Sequence, residues 1–356
     1  MRKVKEFSHH KLLEASKDSG KAAKAANLVY VTGEGTGFTR QQKGKSFIYK
    51  TGKKRLRDKS HLERIKKLAI PPSWTNVWIC PSPNGHIQAT GYDLRNRKQY
   101  RYHPRWSSLR HETKFHHLYE FGKRLPKLRR KITRDIKSKK LTQQKVLAAA
   151  IDLMEKTYIR IGNETYEREN GSYGLTTLKD RHVSVKRDKL LVSFTGKKGI
   201  EHNIGITNKR LARIVKQCRD IPGKALFQYF DDENKRQAID SSMLNSYIKD
   251  GTGPEFSAKD IRTWAGSIQA IEYLLSGHLT SQGNGSKTSS AMLDWVSEKL
   301  GNSRNICKKY YVHPSLLTFC EGKESLPEVR NSDSKFNRCE QILMCILKNN
   351  NSVISG

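Results

Sequence analysis

Residues 76–103 read NVWICPSPNGHIQATGYDLRNRKQYRYH, in which strand-like segments are separated by turn-like ones. The segments NVWIC, HIQATGY and KQYRYH are rich in the apolar, aromatic and β-branched residues that favour strands, and PSPNG and DLRNR carry turn residues. Two similar signals, LVYVT and SFIYK, lie upstream at residues 28–32 and 46–50. The stretch therefore predicts a β-rich domain over residues 28–107.

One helix is expected inside this domain. Ser60 and Glu63 match the capping-box pattern at its start, and Leu62, Ile65 and Leu68 form an apolar stripe. Two consecutive prolines follow the stripe and end the helix, since proline cannot continue it.

Helical periodicity dominates after about residue 107. The stretch TQQKVLAAAIDLMEKTYI, at residues 142–159, is the clearest helix. A compact antiparallel meander is expected in YGLTTL, HVSVKR, KLLVSFTG and IEHNIGI, after which helices resume to about residue 300. The chain is thus predicted to be α+β, with a small β-rich N-terminal domain followed by a mostly α-helical domain that contains a small antiparallel sheet.

Four segments are expected along the chain. They are a basic N-terminal arm at 1–27, the β-rich domain at 28–107, the mostly helical domain at 108–322 and a polar C-terminal tail at 323–356. The tail is rich in Ser, Asn, Lys and Glu apart from the apolar patch ILMCIL.

The charge of the chain indicates a polyanionic partner. Of 356 residues, 68 are Lys or Arg and 34 are Asp or Glu, which gives a formal net charge of +34. Such a field attracts nucleic acid, an anionic membrane surface or an acidic protein. No run approaches the roughly 18 apolar residues of a spanning helix, and the N-terminus lacks a signal-peptide pattern. We therefore expect a cytoplasmic protein with no membrane partner.

Motifs for cofactors are missing from the sequence. The six cysteines show no CxxC pair, which argues against a zinc module or a disulfide framework. GEGTGF lacks the third glycine of GxGxxG, and no GxxxxGK[ST] occurs. HETKFHH resembles HExxH but has Phe115 at the second histidine position. We expect no cofactor, no metal and no bound nucleotide.

Cations and aromatic rings are interleaved in GYDLRNRKQYRYHPRW, residues 91–106. Cations that bind phosphates and flat rings that pack on sugars or bases are what a nucleic-acid-binding surface needs. An edge strand with solvated charges is the alternative, and the net charge favours binding. The predicted DNA contacts here are Arg95, Arg97, Lys98, Tyr100, Arg101 and Tyr102.

Three further cations have both an ordinary and a functional interpretation. Arg160 follows an apolar helix and either caps it or binds a phosphate. Lys197 lies at a Gly-Lys-Lys-Gly tip, which is either a solvated turn or a proton donor to a leaving oxygen. Arg262 lies beside the buried stripe of a helix capped by Ser257, and it needs an anionic partner, either Asp260 or a substrate phosphate.

Two adjacent tyrosines, Tyr310 and Tyr311, follow Lys308 and Lys309. A phenol is a poor nucleophile at neutral pH, but neighbouring cations favour the phenolate. Attack on phosphorus would give a covalent phosphotyrosine. Adjacent side chains of a regular element point in different directions, so at most one of the two is a nucleophile and the other packs.

Five separated motifs, taken in their order along the chain, resemble the catalytic series of the small type IB DNA topoisomerases of bacteria and poxviruses. They are YIRIGN, SYGLTTLKDRHV, FTGKKG, DIRTWAG, and LGN with a tyrosine nine residues later. HIQATGYDLRNRKQYRYH is similar to the DNA-facing strands of their N-terminal domain, particularly in bacterial members. The resemblance covers about residues 28–318, and it implies a tyrosine recombinase/type IB topoisomerase-like fold with residues 108–322 as the catalytic domain.

The resemblance implies a role for each matching residue. Tyr311 would be the nucleophile, forming a 3′-phosphotyrosyl link and releasing a 5′ hydroxyl. Arg160 and Arg262 would hold the nonbridging oxygens, and Lys197 would protonate the leaving oxygen, with Lys198 as the less favoured alternative.

Asn302 stands where many relatives have histidine, and its amide can donate a hydrogen bond to a phosphate oxygen but cannot carry a proton. The family spacing from residue 302 selects Tyr311 and leaves Tyr310 as a packing residue. Tyr166 matches a position near the phosphate, so it is included among the DNA contacts.

The implied activity is relaxation of positive and negative supercoils without ATP or metal. One strand is nicked, the duplex rotates, and the strand is resealed, by a monomer that closes round duplex DNA as a clamp. One alternative is a tyrosine recombinase, which usually carries histidine where this chain has Lys259. The other alternative is a noncatalytic, basic DNA-packaging protein.

Overall fold

The computed structural model describes residues 18–44, 46–94, 96–277, 285–320, 322, 325–329 and 335–352, with only the backbone at 111, 112, 116, 285–287 and 350–352. The chain divides into two compact units, Met1–His117 with Asn350–Gly356, and Leu118–Asn349. The first boundary falls inside one long helix, ten residues beyond the boundary expected at 107.

The first unit contains a six-stranded antiparallel sheet of order β3-β2-β1-β4-β5-β6. Its strands are β1 (Phe38–Lys43), β2 (Ser46–Thr51), β3 (Lys54–Arg55), β4 (Thr75–Ile79), β5 (Ile87–Tyr92) and β6 (Lys98–Tyr102). The strands expected around 46–50 and 76–103 are confirmed. Strand β1, FTRQQK, was not expected because it has one apolar residue and no alternation; its pairing with β2 holds it in the sheet. LVYVT makes only an isolated bridge, Val29 with Gly85.

Two helices complete the packing of the first unit. Helix α1 (Ser19–Ala25) buries Ala22 and Ala23 against a cluster that includes Trp106 and Leu109. The small alanine side chains let this helix pack closely, although the sequence predicted an arm without a buried face over 1–27; residues 1–17 of that arm lie outside the described residues.

Helix α2 (Lys59–Lys67) places Ile65 in the sheet core with Phe38 and Ile79. Its N-cap is Asp58 rather than Ser60. The Asp58 carboxylate accepts from the His61 backbone N–H at 2.8 Å, and such a carboxylate is a strong cap. Ser60 instead donates its hydroxyl to Asp58 at 2.7 Å.

The second unit is mostly helical, and the α+β fold class is confirmed. Helix α3 (Pro104–Ile136) leads into it, followed by α4 (Gln143–Thr157), α5 (Glu164–Asn170), α6 (Lys209–Arg219), α7 (Ser241–Thr252), α8 (Ala258–Leu275), α9 (Gly285–Leu300), α10 (Arg304–Tyr310), α11 (Pro314–Cys320) and α12 (Arg338–Ser352). The predicted helix at 142–159 is confirmed as α4, and Thr142 caps it.

A three-stranded antiparallel meander interrupts these helices. It has the order β7-β8-β9, with β7 (Val183–Lys186), β8 (Lys189–Thr195) and β9 (Glu201–Thr207), as the sequence predicted. A two-stranded ribbon of β10 (Gln228–Phe230) and β11 (Arg236–Ala238) follows. YGLTTL, expected as a strand, instead contains a short 3-10 turn at Leu175–Thr177, closed by a Thr177 backbone N–H that donates to Gly174 at 2.9 Å.

The C-terminal segment contributes a buried carboxylate to the second unit. Glu340 on α12 is 3% exposed and accepts from both terminal nitrogens of Arg129, at 2.7 and 3.1 Å, and from the Trp264 indole N–H at 3.3 Å. Arg129 also donates to Glu155 at 3.2 Å. The region 323–356, expected as a polar tail, therefore includes a helix anchored to α3 and α8.

Burial and ion pairing shift the pKa values of Arg129 and Glu155 in opposite directions. Burial raises the pKa of Glu155 against the attraction of Arg129. Burial lowers the pKa of Arg129, but the two glutamates more than offset it and the pKa is raised overall. Arg129 thus stays positively charged, and removing one of the two glutamates leaves its buried guanidinium incompletely paired.

No helix in the described part of the chain has the length and apolarity needed to cross a membrane. Within the same residues, no group of three or more His, Cys, Asp or Glu side chains could hold a metal ion.

We expect Glu340→Ala to lower the free energy of unfolding by about 3 kcal/mol. The substitution leaves Arg129 with Glu155 as its remaining carboxylate partner and leaves the Trp264 N–H without its buried acceptor. Urea denaturation of the purified variant measures the change. Glu328→Ala removes an exposed carboxylate from the same C-terminal segment and should change stability by less than about 0.5 kcal/mol. Equal effects of the two substitutions would show that α12 is not anchored by Glu340.

Candidate active site

The C-terminal end of helix α9 holds two arginines that come from distant parts of the sequence. Arg262 donates its Nη2 to the Leu300 carbonyl at 2.8 Å, and Arg160 donates its Nη2 to the Gly301 carbonyl at 3.0 Å. The last carbonyls of a helix have no intrahelical donor and carry partial negative charge. They are therefore suitable acceptors for two cations that would otherwise repel one another.

Arg262 is buried with unused hydrogen-bonding capacity. It lies on α8 and is 4% exposed, and its buried Nε and Nη1 have no hydrogen-bond partner among the described residues. Asp260, the intrachain partner considered from the sequence, accepts from the Ser257 backbone N–H at 2.9 Å and completes the capping box of α8. Asp260 is thus engaged in capping α8, and no carboxylate in the described part of the chain forms an ion pair with Arg262.

The pKa shifts of Arg160 and Arg262 agree with their buried positions. Burial lowers the pKa of Arg262 to about 10, with Tyr311 acting to raise it and Arg160 to lower it. Burial also lowers the pKa of Arg160, again against Tyr311. Both groups remain cationic at neutral pH, at a site where each charge is incompletely compensated.

Arg160 reaches this position because the chain turns sharply after α4. Tyr158 adopts a left-handed conformation, with φ of 58°, and ends the helix. Arg160 then points to the end of α9, where its Nη2 also donates to Asn302 Oδ1. The Nδ2 of Asn302 is buried and has no hydrogen-bond partner in the described residues. The site therefore presents three unpartnered donor nitrogens, Nε and Nη1 of Arg262 and Nδ2 of Asn302.

Tyr311 stands beside Arg262, immediately after helix α10. The Arg262 Cζ lies 5.6 Å from the centroid of the Tyr311 ring, and the Tyr311 carbonyl accepts from the Ser267 hydroxyl at 3.1 Å. Gly266 permits this approach, since a Cβ there would lie 2.6 Å from the Tyr311 Cβ. Tyr310 is 40% exposed and lies beside Lys309, whose Nζ is 5.2 Å from its ring centroid. The two tyrosines have different surroundings: the Tyr311 ring lies beside Arg262, and the Tyr310 ring lies beside Lys309.

Lys197 and Tyr166 form a separate pair. Lys197 is exposed at the β8–β9 turn, and its Nζ lies 5.5 Å from the centroid of the Tyr166 ring. Tyr166 is 49% exposed on α5. No hydrogen bond or ring contact joins Lys197 to Arg160 or Arg262 in the described part of the chain. The structure thus brings together Arg160, Arg262, Asn302 and Tyr311, and places Lys197 with Tyr166.

Sequence reasoning missed His202, which lies on β9 close to both arginines. Its ring stacks on Phe194 with centroids 4.7 Å apart. Burial lowers the pKa of His202, and Arg160 and Arg262 lower it further. A single histidine in the alternating segment IEHNIGI gives no sign of this position, because the sequence does not show what the strand face packs against.

The N-terminal cations predicted to bind DNA are paired within the chain. Arg97 forms an ion pair with Asp93 at 2.7 Å and Lys98 with Glu34 at 2.7 Å, and Arg101 donates to the Ala69 carbonyl at 2.7 Å. Exposed ion pairs of this kind contribute little stability, so a phosphate can compete for them. Arg95 lies outside the described residues.

The aromatic side chains of this segment differ in exposure. Tyr100 and Tyr102 are exposed on β6 with stacked rings, 5.7 Å between centroids. Trp106 is buried in the cluster with α1 instead of facing solvent. Of the four rings in residues 91–106, those of Tyr100 and Tyr102 are thus exposed to a partner, and the role of both remains a prediction.

Comparison with known proteins gives matches over both units. The family described as eukaryotic DNA topoisomerase I, catalytic core, matches residues 103–326, and the bacterial DNA topoisomerase IB N-terminal domain matches residues 46–93. DNA topoisomerase 1B of Acanthamoeba polyphaga mimivirus is 35% identical over 246 residues, covering 67% of this chain and 73% of that protein. DNA topoisomerase 1B of Vaccinia virus (strain Copenhagen) is 23% identical over 248 residues, covering 67% and 74%.

We expect Arg262→Met to raise the free energy of unfolding of the DNA-free protein by about 1 kcal/mol or more. The substitution removes a buried, incompletely compensated cation and keeps an apolar stem of similar length. Urea denaturation tests this. Arg213→Met on the exposed face of α6 is the matched control and should change stability by less than about 0.5 kcal/mol. A clear loss of stability in Arg262→Met would mean that the guanidinium serves the fold.

Proposed function

The chain belongs to the type IB DNA topoisomerases, and we propose that it relaxes positively and negatively supercoiled duplex DNA through a covalent 3′-phosphotyrosyl intermediate. One observation carries the proposal: Arg262 is buried beside Tyr311, and two of its guanidinium nitrogens, Nε and Nη1, have no hydrogen-bond partner in the described residues. A phosphodiester placed there would receive these hydrogen bonds and compensate the charge of the arginine pair.

In the proposed cleavage step, the Tyr311 phenolic oxygen loses its proton to solvent and attacks the scissile phosphorus. A bond forms between that oxygen and phosphorus, and the bond from phosphorus to the 5′ oxygen breaks. Negative charge grows on the nonbridging oxygens of the pentacoordinate state. Arg160, Arg262 and Asn302 would donate hydrogen bonds to those oxygens, and fixed donors of this kind stabilise a transition state effectively.

Lys197 is proposed as the general acid that protonates the departing 5′ oxygen. It lies on an exposed turn beside Tyr166, where a strand that crosses the Tyr166 ring would come within reach of its ammonium group. Lys198, the neighbouring residue, has a left-handed backbone with φ of 67°, and it is the Lys197 ammonium that lies over the Tyr166 ring. This difference favours Lys197 as the donor.

Strand rotation and resealing would follow without another reactant. The phosphotyrosyl ester conserves the energy of the broken phosphodiester, and attack by the 5′ hydroxyl reverses the first step. The free energy of relaxation comes from the supercoil. We therefore propose that the protein's own side chains carry out the chemistry without ATP or metal.

Affinity for duplex DNA should come chiefly from phosphate contacts and decrease steeply with salt, since the formal net charge is +34. We propose that a monomer acts on one duplex as a clamp, with the exposed Tyr100 and Tyr102 among its N-terminal contacts. Its expected location, cytoplasmic and associated with the nucleoid in a bacterium, follows from this substrate.

We expect wild-type protein and Tyr310→Phe to relax negatively and positively supercoiled plasmid in EDTA without ATP, and Tyr311→Phe to be inactive, because Tyr311 is the proposed nucleophile. Gel electrophoresis of topoisomers measures relaxation, and denaturing gels measure covalent protein–DNA product. Plasmid binding without a change in linking number would contradict the proposal and favour a packaging protein. Strand exchange between two sites would favour a recombinase.

We expect Lys197→Ala to slow single-turnover cleavage by about 10²- to 10⁴-fold, the usual contribution of general acid catalysis. A substrate with sulfur in place of the bridging 5′ oxygen should restore most of the rate, because a thiolate leaves without being protonated. Lys198→Ala serves as the control and should cleave both substrates at nearly the wild-type rate. Equal slowing of Lys197→Ala on both substrates would assign Lys197 to binding instead of proton transfer.

A further inference from the structure

His202 lies between two loops that carry different parts of the proposed machinery. A Cβ placed on Gly196 would lie 2.7 Å from Cδ2 and Nε2 of the imidazole, and a Cβ on Gly301 would lie 2.4 Å from Cε1. Real Cβ contacts are essentially never this short, so the ring lies directly against both backbones. Gly301 also has a left-handed φ of 56°.

Each of these glycines borders a predicted catalytic residue. Gly196 precedes Lys197 and closes the β8–β9 turn, since its N–H donates to the Ile200 carbonyl at 2.7 Å. Gly301 precedes Asn302, and its carbonyl accepts from Arg160. One imidazole therefore touches both the turn of the predicted general acid and the loop that anchors the arginine.

The orientation of the ring is fixed from a third side. His202 is the cross-strand partner of Phe194 in the antiparallel β8–β9 pair, and the two rings stack with an interplanar angle of 12°. Aromatic pairs in this arrangement gain about 0.5–1.5 kcal/mol beyond their area burial. The stack prevents the ring from moving aside, so a shift of one loop would be transmitted to the other.

We propose that His202 is a positioning residue that couples the Lys197 turn to the Gly301–Asn302 loop, so that the proton donor and the phosphate-binding groups are held in one arrangement. This inference rests on the proposed function. It adds a residue that touches neither the phosphate nor the leaving oxygen and acts through the groups that do.

The surroundings of His202 favour the neutral form of its imidazole. Burial, Arg160 and Arg262 lower the pKa of His202, and Glu201 opposes them. Because the folded-state pKa is below the ordinary value of 6.5, the unfolded chain takes up the proton first as the pH falls. The contribution of His202 to the free energy of unfolding is therefore fully present above pH 6.5 and is lost as the pH falls through the folded-state pKa. A proton on His202 would add a third cation beside the two arginines and separate the loops.

Single-turnover cleavage on the oxygen and 5′-sulfur substrates tests the coupling. We expect His202→Ala to slow cleavage of the oxygen substrate by about 10²-fold, the effect of a misplacement on the order of 1 Å, with partial recovery on the sulfur substrate, which bypasses Lys197. His202→Phe keeps a flat ring that cannot titrate. It should therefore retain most of the rate at neutral pH and lose the decline of the rate that protonation of His202 causes on acidification.

The control is His182→Phe. His182 is buried in the same unit, where its ring packs on Tyr173 and lies 6.4 Å from the Phe194 ring. Its pKa is lowered by burial and then by Arg181 and Lys179, whereas the pKa of His202 is lowered by burial and the arginine pair. His182→Phe should leave the pH profile unchanged. Urea denaturation of each variant separates a folding defect from a rate defect, and His202→Phe tests the proposal if His202→Ala does not fold.

Three outcomes would overturn the role of His202. They are wild-type cleavage by His202→Ala, an unchanged acid profile in His202→Phe, and the same loss of that profile in His182→Phe. If the wild-type protein forms no covalent complex in this assay, the proposed function fails. If it does and the His202 variants match it, only the coupling fails.

Discussion

Two guanidinium groups of like charge held at the end of one helix are the constraint on which the rest of the site depends. Arg160 and Arg262 repel each other, and the repulsion contributes to the lowered pKa of Arg262. The Leu300 and Gly301 carbonyls keep the two groups in place, because a helix C-terminus offers unpaired acceptors and a partial negative charge. Helix α9 is thus an electrostatic support as well as a packing element.

The surrounding fold maintains this arrangement through helix α8. One face of α8 presents Arg262 to the site, and Gly266 allows the backbone of Tyr311 to come close. On the same helix the Trp264 indole donates to Glu340, which is paired with Arg129. The C-terminal helix is therefore joined to α8 through Trp264, two positions after Arg262. This contact network holds the helix that carries Arg262, although no carboxylate forms an ion pair with Arg262 in the described part of the chain.

Local sequence patterns predicted much of the fold, because periodicity and turn chemistry are local properties. Helix α4, the β7–β9 meander and the N-terminal strands β4, β5 and β6 follow from such patterns. The pairing of Glu340 with Arg129 spans 211 positions in a segment of polar composition, so no local pattern indicates it. The resemblance of ordered motifs selected Arg160, Arg262, Asn302 and Tyr311, and the structure brings these four together. The position of His202 depends on strand register and on Gly301, neither of which composition shows.

In the proposed reaction, the donors of Arg262 and Asn302 that have no partner in the described residues would favour one particular state of the substrate. Leaving a buried donor unpaired costs about 1–3 kcal/mol, and Arg262 and Asn302 together have three such atoms. An ordinary phosphodiester shares one negative charge between two nonbridging oxygens, whereas the pentacoordinate state has more charge on them. Fixed donors interact more strongly with the second state than with the first, which is the requirement for accelerating a reaction instead of only binding the substrate. The free energy that the unpaired donors cost the folded protein would thus be offset by the hydrogen bonds that they donate at the transition state of the proposed reaction.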